Sequence, residues 1–74
     1  MTKKEELKKF GKRLRELRLE KGYSQEKLAE YASLHRNYIG MIERGKRNVT
    51  LFNITKLVRS LGIEVSELLE NTGE

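Results

Sequence analysis

Apolar residues recur near the start of the chain at Leu7, Phe10, Leu14 and Leu17, three and four positions apart, with Lys, Arg and Glu between them. That spacing matches a helix with one buried face. It predicts a helix from about Lys4 to Lys21, closed by Gly22, which can take the left-handed conformation past a helix end. Gly11 lies inside this helix and costs about 1 kcal/mol relative to Ala, so it reads as a close packing contact or a tolerated position. Ser24 can cap the next helix, because its hydroxyl can accept from a free amide of the first turn. Leu28, Ala29 and Ala32 then mark a short second helix ending near Ser33. A third helix starts two or three residues later, with Ile39 and Ile42 facing inward, and closes at Gly45. Thr50 is expected to cap a fourth helix carrying Leu51, Ile54, Leu57, Val58 and Leu61, which ends at Gly62. Ser66 is expected to cap a last short helix holding Leu68 and Leu69, and Asn71 to Glu74 to fray. The result is an all-α fold of five helices in one domain, residues 1–74, with no linker and no internal repeat.

Composition narrows the chemistry. A chain of 74 residues is close to the lower limit at which a hydrophobic core alone outweighs chain entropy. Cysteine is absent and His35 is the only histidine, so neither disulfides nor a thiolate zinc site can staple the fold, and no metal or other cofactor is expected. Helix packing, with help from a partner subunit, must supply the stability. No proline interrupts the helices, and no long apolar run or signal-peptide pattern is present, so the expected location is cytoplasmic, with no membrane partner. The net charge of +5 is unevenly spread. Residues 1–23 carry nine Lys/Arg against four Glu, residues 24–47 five against three, and residues 48–74 two against four. One end is therefore basic and the other mildly acidic, as expected if the basic end faces a polyanion.

Two short helices joined so briefly must cross steeply, which is the geometry of a helix-turn-helix. Residues 24–45 read SQEKLAEYASLHRNYIGMIERG. With Gln25 opening helix 2, Ala29 in its middle, Ile39 and Ile42 in helix 3, and the closing Ile42-Glu43-Arg44-Gly45, this stretch resembles the DNA-binding domain of the phage lambda-type repressors. Those are five-helix bacterial and phage regulators, and with the flanking helices the likeness covers nearly the whole chain. Leu34 to Gly40, followed by Glu43 to Thr50, further resembles the controller proteins of restriction-modification systems. Those are dimeric activators and repressors that switch their own operon. One departure stands out: the turn position that is frequently Gly in such motifs is Ser33, and a left-handed Ser33 costs roughly 1 kcal/mol.

An α-helix fits the major groove, and the residues near the N-terminus of the inserted helix reach base edges. Here those residues are Arg36 and Asn37. Arg suits the two acceptors of guanine, and Asn suits the donor and acceptor of adenine. Tyr38 and Met41 share enough of that outward face to touch thymine methyls, backbone or the groove wall, although packing is the competing role for both. Gly40 removes a side chain from the exposed face and so could permit close approach to DNA. Gln25, at the N-terminus of helix 2, is placed to clamp a phosphate oxygen. His35 reads as a positioning or phosphate-facing residue. Arg44, Lys46, Arg47 and Asn48 cluster after helix 3, where they can ride the backbone or enter the adjacent minor groove.

The resemblance implies further assignments. Arg18 and Glu43 match a buried pair that joins helix 1 to the end of helix 3. The segment Ile63, Val65, Leu68 and Leu69 matches a region that forms a two-fold interface, setting two recognition helices roughly 34 Å apart. The simpler alternative for these four is completion of the monomer core. The expected function is therefore regulation of transcription by a homodimer on specific double-stranded DNA, with protein concentration as the signal and no small-molecule ligand. An antitoxin, whose partner toxin covers the same hydrophobic end, is the competing reading. Catalysis is disfavoured by the lone His, the missing Cys and the lack of a glycine-rich phosphate loop, and RNA binding by the lack of an aromatic stacking platform.

Overall fold

The computed structural model describes residues 2–70, so the fraying expected of Asn71 to Glu74 lies outside the described residues. Five helices follow in order: α1 (Lys3–Glu20), α2 (Gln25–Ala32), α3 (Arg36–Glu43), α4 (Leu51–Leu61) and α5 (Val65–Leu68). No strand occurs among the described residues. α1 packs on α3 and α5, α2 packs on α3 and α4, and α4 packs on α5.

Side-chain caps set the helix starts. The Ser24 and Thr50 hydroxyls accept from the amides of Lys27 and Asn53 at 2.9 and 3.1 Å. Thr2 caps α1 in the same way, accepting from the Glu5 amide at 3.2 Å, a Thr-x-x-Glu signal that the apolar spacing does not carry. α5 departs from expectation. Its N-cap is Glu64, whose amide donates to Glu67 Oε1 at 3.1 Å, and Ser66 lies within the helix. Two glutamates at capping-box spacing hold the turn in place of the expected serine.

The first four helices end in one pattern. At Gly22, Ser33, Gly45 and Gly62 the chain turns left-handed, its amide bonds three residues back, and the following amide bonds five residues back. Ser33 has φ 56°, so the turn between α2 and α3 does adopt the conformation that glycine would take without strain. Its closing bonds, from Ser33 to Glu30 O at 3.3 Å and from Leu34 to Ala29 O at 2.9 Å, offset part of that cost.

The core is built from Phe10, Leu14 and Leu17 of α1, Leu28, Ala29 and Ala32 of α2, Ile39 and Ile42 of α3, Leu57, Val58 and Leu61 of α4, and Leu68 of α5. Leu7 is half-buried. Leu51, expected among the apolar positions of α4, is 77 % exposed, and its neighbour Phe52 is 72 % exposed. α4 is fully buried at Leu57, Val58 and Leu61 and Ile54 packs half-buried against the core, so only Leu51 and Phe52 project past it.

Two contacts fix α1 against α3. Gly11 faces the last carbonyls of α3, so a Cβ there would fall 2.7 Å from the Glu43 carbonyl oxygen and closer still to that of Ile42. Two turns further along α1, Arg18 forms a two-pronged ion pair with Glu43, Nε to Oε2 at 2.7 Å and Nη2 to Oε1 at 3.0 Å. Both side chains are buried, and Arg18 Nη1 donates to the Tyr23 carbonyl at 2.8 Å. No buried polar side-chain atom lacks a partner among the described residues.

Removing one partner of such a pair leaves the other charge buried and unpaired, so Glu43→Ala is expected to cost about 3–5 kcal/mol, measured by denaturant unfolding. Gly11→Ala should also lower the melting temperature, although Ala favours a helix by about 1 kcal/mol, because the added methyl meets main-chain oxygens that cannot rotate away.

Candidate nucleic-acid interface

α3 buries Ile39 and Ile42 and turns its opposite side outward. Arg36 and Asn37, in its first turn, are exposed. Along the same side, Arg36, Asn37 and Met41 line a shallow cleft together with Gln25, Gly40 and Arg44. The cleft therefore gathers three of the four residues expected to read bases and two of those expected to hold phosphate.

Gln25 is placed by the buried ion pair. Its Nε2 donates to Glu43 Oε1 at 3.1 Å, which commits one of its two amide hydrogens and leaves the other. The side chain lies across Gly40. A Cβ on Gly40 would stand 3.5 Å from Gln25 Oε1 and 3.2 Å from Arg44 Nη1. Gly40 is buried, which corrects the expectation that it opens an exposed face for close approach. The Gln25 side chain packs over it at ordinary contact distance, and the missing Cβ eases only the approach of the Arg44 guanidinium.

The free amides of Gln25 and Glu26 open α2 beside a second cleft lined by Arg18, Ser24, Gln25, Glu26 and Arg36. Glu26 carries no signal of this in the sequence. Its carboxylate lies 4.0 Å from Arg36 Nη1, with both side chains well exposed, so the contact is weak and easily exchanged for another partner.

Tyr38 is half-buried and tied down. Its hydroxyl accepts from Asn53 Nδ2 at 3.0 Å and donates toward the Asn48 carbonyl at 3.4 Å, while the Arg47 guanidinium lies over its ring at 5.4 Å. Tyr38 thus links α3 to the loop 44–50 and to the first turn of α4. Sequence reasoning misses Asn53, which reads as an ordinary polar position of α4. His35 is the N-cap of α3 but makes no side-chain cap bond, and it is exposed beside Tyr38, Arg47 and Asn53. Arg44, Lys46, Arg47 and Asn48 are all exposed in the loop.

The four residues expected at a two-fold interface, Ile63, Val65, Leu68 and Leu69, divide. Leu68 is fully buried in the monomer core, and Ile63 packs against that core, so Leu68 is corrected from interface to core. The physical reason is that α5 folds back onto α1 and α4, where Arg13 Nε donates to the Glu67 carbonyl at 2.9 Å. Val65 and Leu69 keep 40 % and 41 % of their surface. Leu69 lines a groove with Val49 and Ile54, near the start of α4, where Leu51 and Phe52 stand exposed. No group of three or more metal-ligating side chains occurs among the described residues. Nor is any helix among them long and apolar enough to cross a membrane.

Comparison with known proteins bears on the family and the fold. The family described as Helix-turn-helix matches residues 14–68. The control protein C.BamHI of Bacillus amyloliquefaciens is 52 % identical over 64 residues, covering 85 % of this chain and 79 % of its own. The restriction-modification controller protein C.AhdI of Aeromonas hydrophila superposes with a TM-score of 0.83 at 60 % identity, covering 84 % of this chain and 94 % of its own. SinR, the master regulator for biofilm formation, solved in complex with DNA, gives a TM-score of 0.79 at 35 % identity over 82 % of this chain and 98 % of its own. From α1 to α5, in fold and in sequence, the chain belongs to the helix-turn-helix family of DNA-binding transcriptional regulators.

Proposed function

We propose that this protein binds a pseudo-palindromic operator as a homodimer and autoregulates the operon of a restriction-modification system, as a controller protein. The observation that carries the reading is the cleft shared by Arg36, Asn37, Met41, Gln25 and Arg44 on the outward side of α3. Base-reading and phosphate-holding groups must lie on one surface if a helix is to enter the major groove. Arg36 and Asn37 supply base-specific donors and acceptors, and Met41 offers an apolar contact deeper along the helix. The second hydrogen on Gln25 Nε2, with the free amides at the start of α2, holds a phosphate oxygen. Arg44, Lys46, Arg47, Asn48 and His35 follow the strand on either side. Tyr38, anchored through its hydroxyl, contributes a ring edge to the groove wall.

The controller assignment draws on the relatives named above. The protein works in the cytoplasm, by occupancy and without catalysis or a small-molecule signal, so its own concentration sets the output. The dimer surface draws on Leu51 and Phe52 at the start of α4 with Val65 and Leu69 of the C-terminal segment, all four exposed in the monomer.

Selection from a random duplex DNA pool at near-physiological salt should enrich an inverted repeat, and Arg36→Ala should relax one position of each half-site by about 1–3 kcal/mol. Failure to enrich any sequence would sink the operator reading, and a tightly co-purifying partner protein would put an antitoxin role in its place. Sedimentation should show a concentration-dependent dimer that Phe52→Lys shifts toward monomer while the helical circular-dichroism signal is kept, with a melting temperature that no longer rises with protein concentration as that of the wild type does. A wild-type protein that stays monomeric at high micromolar concentration would remove the dimer from the proposal.

A further inference from the structure

α1 carries more positive charge than its packing uses. At about 100° per residue, Lys4, Lys8, Lys12 and Arg15 fall within an arc of roughly 80°, and that arc adjoins Gly11, the residue facing α3. No acidic residue lies inside the arc. Lys8, Lys12 and Arg15 are exposed, and none of the four makes an ion pair among the described residues. The nearest acids lie outside the arc: Glu5, about 20° beyond its edge, is bonded to the Thr2 hydroxyl, Glu16 pairs with Arg13, and Glu43 with Arg18.

The stripe has a fixed position relative to the recognition helix. A Cβ on Gly45 would stand 3.0 Å from the Lys8 Cα and 3.1 Å from its amide nitrogen, so the α1 backbone at Lys8 lies against the turn that ends α3. On the other side of Lys8, Glu6, Leu7 and Phe10 share a groove with Asn48 and Val49, so the loop 44–50 runs alongside the first half of α1. Lys8 therefore stands beside Arg44 and Lys46, and Arg15 lies about 10 Å further along the axis. Like charges gathered this closely, with no acids between them, repel one another unless an external anion joins them.

We infer that Lys8 and Arg15 form a second phosphate-binding surface, continuous with Arg44 and Lys46, that extends the DNA footprint from the helix-turn-helix onto α1. This rests on the operator reading above. Its occupant is the sugar-phosphate backbone flanking the half-site, because the stripe offers charge and reach but no group placed in a groove. It adds affinity without adding sequence preference.

The test is a salt titration of duplex binding by the full chain, comparing wild type with Lys8→Gln, Arg15→Gln and, as a control on the side of α1 away from α3, Lys9→Gln. For each phosphate no longer neutralised, the slope of log Kobs against log salt should become shallower by about 0.9. Lys8→Gln and Arg15→Gln are expected to show this, to weaken selected and unselected duplexes by the same factor, and to keep the wild-type melting temperature. Lys9→Gln should keep the wild-type slope. Slopes unchanged in Lys8→Gln and Arg15→Gln would overturn the proposal, as would an equal fall in Lys9→Gln, which would mark a diffuse charge effect. A lowered melting temperature with an unchanged slope would overturn it too, by showing that these cations only cap the C-terminal end of α3. Wild-type protein that binds no duplex would overturn the operator reading itself, a result separate from any of these.

Discussion

Arg18 and Glu43 meet where the end of α3, the start of α2 and the last turn of α1 converge, and each hydrogen bond they make fixes one of those elements. The guanidinium holds the Tyr23 carbonyl and so pins the connection into α2, while Glu43 accepts from Gln25 at the opening of that helix. A buried pair of this kind adds little net stability over a well-packed apolar substitute, since desolvation offsets most of the attraction. Its worth here is angular. Gln25, Glu43 and Arg18 together set how α2 crosses α3, and that crossing decides whether the outward side of α3 can present Arg36 and Asn37 while α2 keeps clear of them.

Gly11 and Gly40 complement the pair by subtraction. One lets α1 approach the last carbonyls of α3, and the other eases the approach of the Arg44 guanidinium. A methyl group at Gly11 would strike the main chain at the end of α3, beside the ion pair, whereas one at Gly40 would press only on the tip of the Arg44 side chain. In so small a chain this matters, because a core of twelve side chains among the described residues leaves little apolar surface with which to enforce one helix arrangement over another.

Helix order and the inward faces were legible in the sequence because the 3.6-residue period survives in α1, α3 and α4. Cap chemistry was readable at Ser24 and Thr50 for a related reason: the hydroxyl stands directly before the apolar pattern. It failed at Glu64, since local spacing favours the serine two residues on and does not register that Glu67 reaches back to the Glu64 amide. Leu51 and Leu68 depart from expectation in opposite directions. Periodicity gives the face of a helix but not how far the layer beneath it extends, and a four-residue helix is too short to show a face at all. Of the interface, the exposed cations and Arg36 with Asn37 were readable as types; the roles of Gly40, Asn53 and Glu26 were not, because each depends on a residue ten or more positions away.

The anchoring of Tyr38 limits how this surface can be reprogrammed. Its hydroxyl is bonded at once to the loop and to α4, so a change there moves three elements at the same time. Arg36, Asn37 and Met41 carry no such obligation to the core. Divergence toward a new target sequence has those few positions to work with, and lineages that drift apart should keep the tyrosine while its neighbours vary.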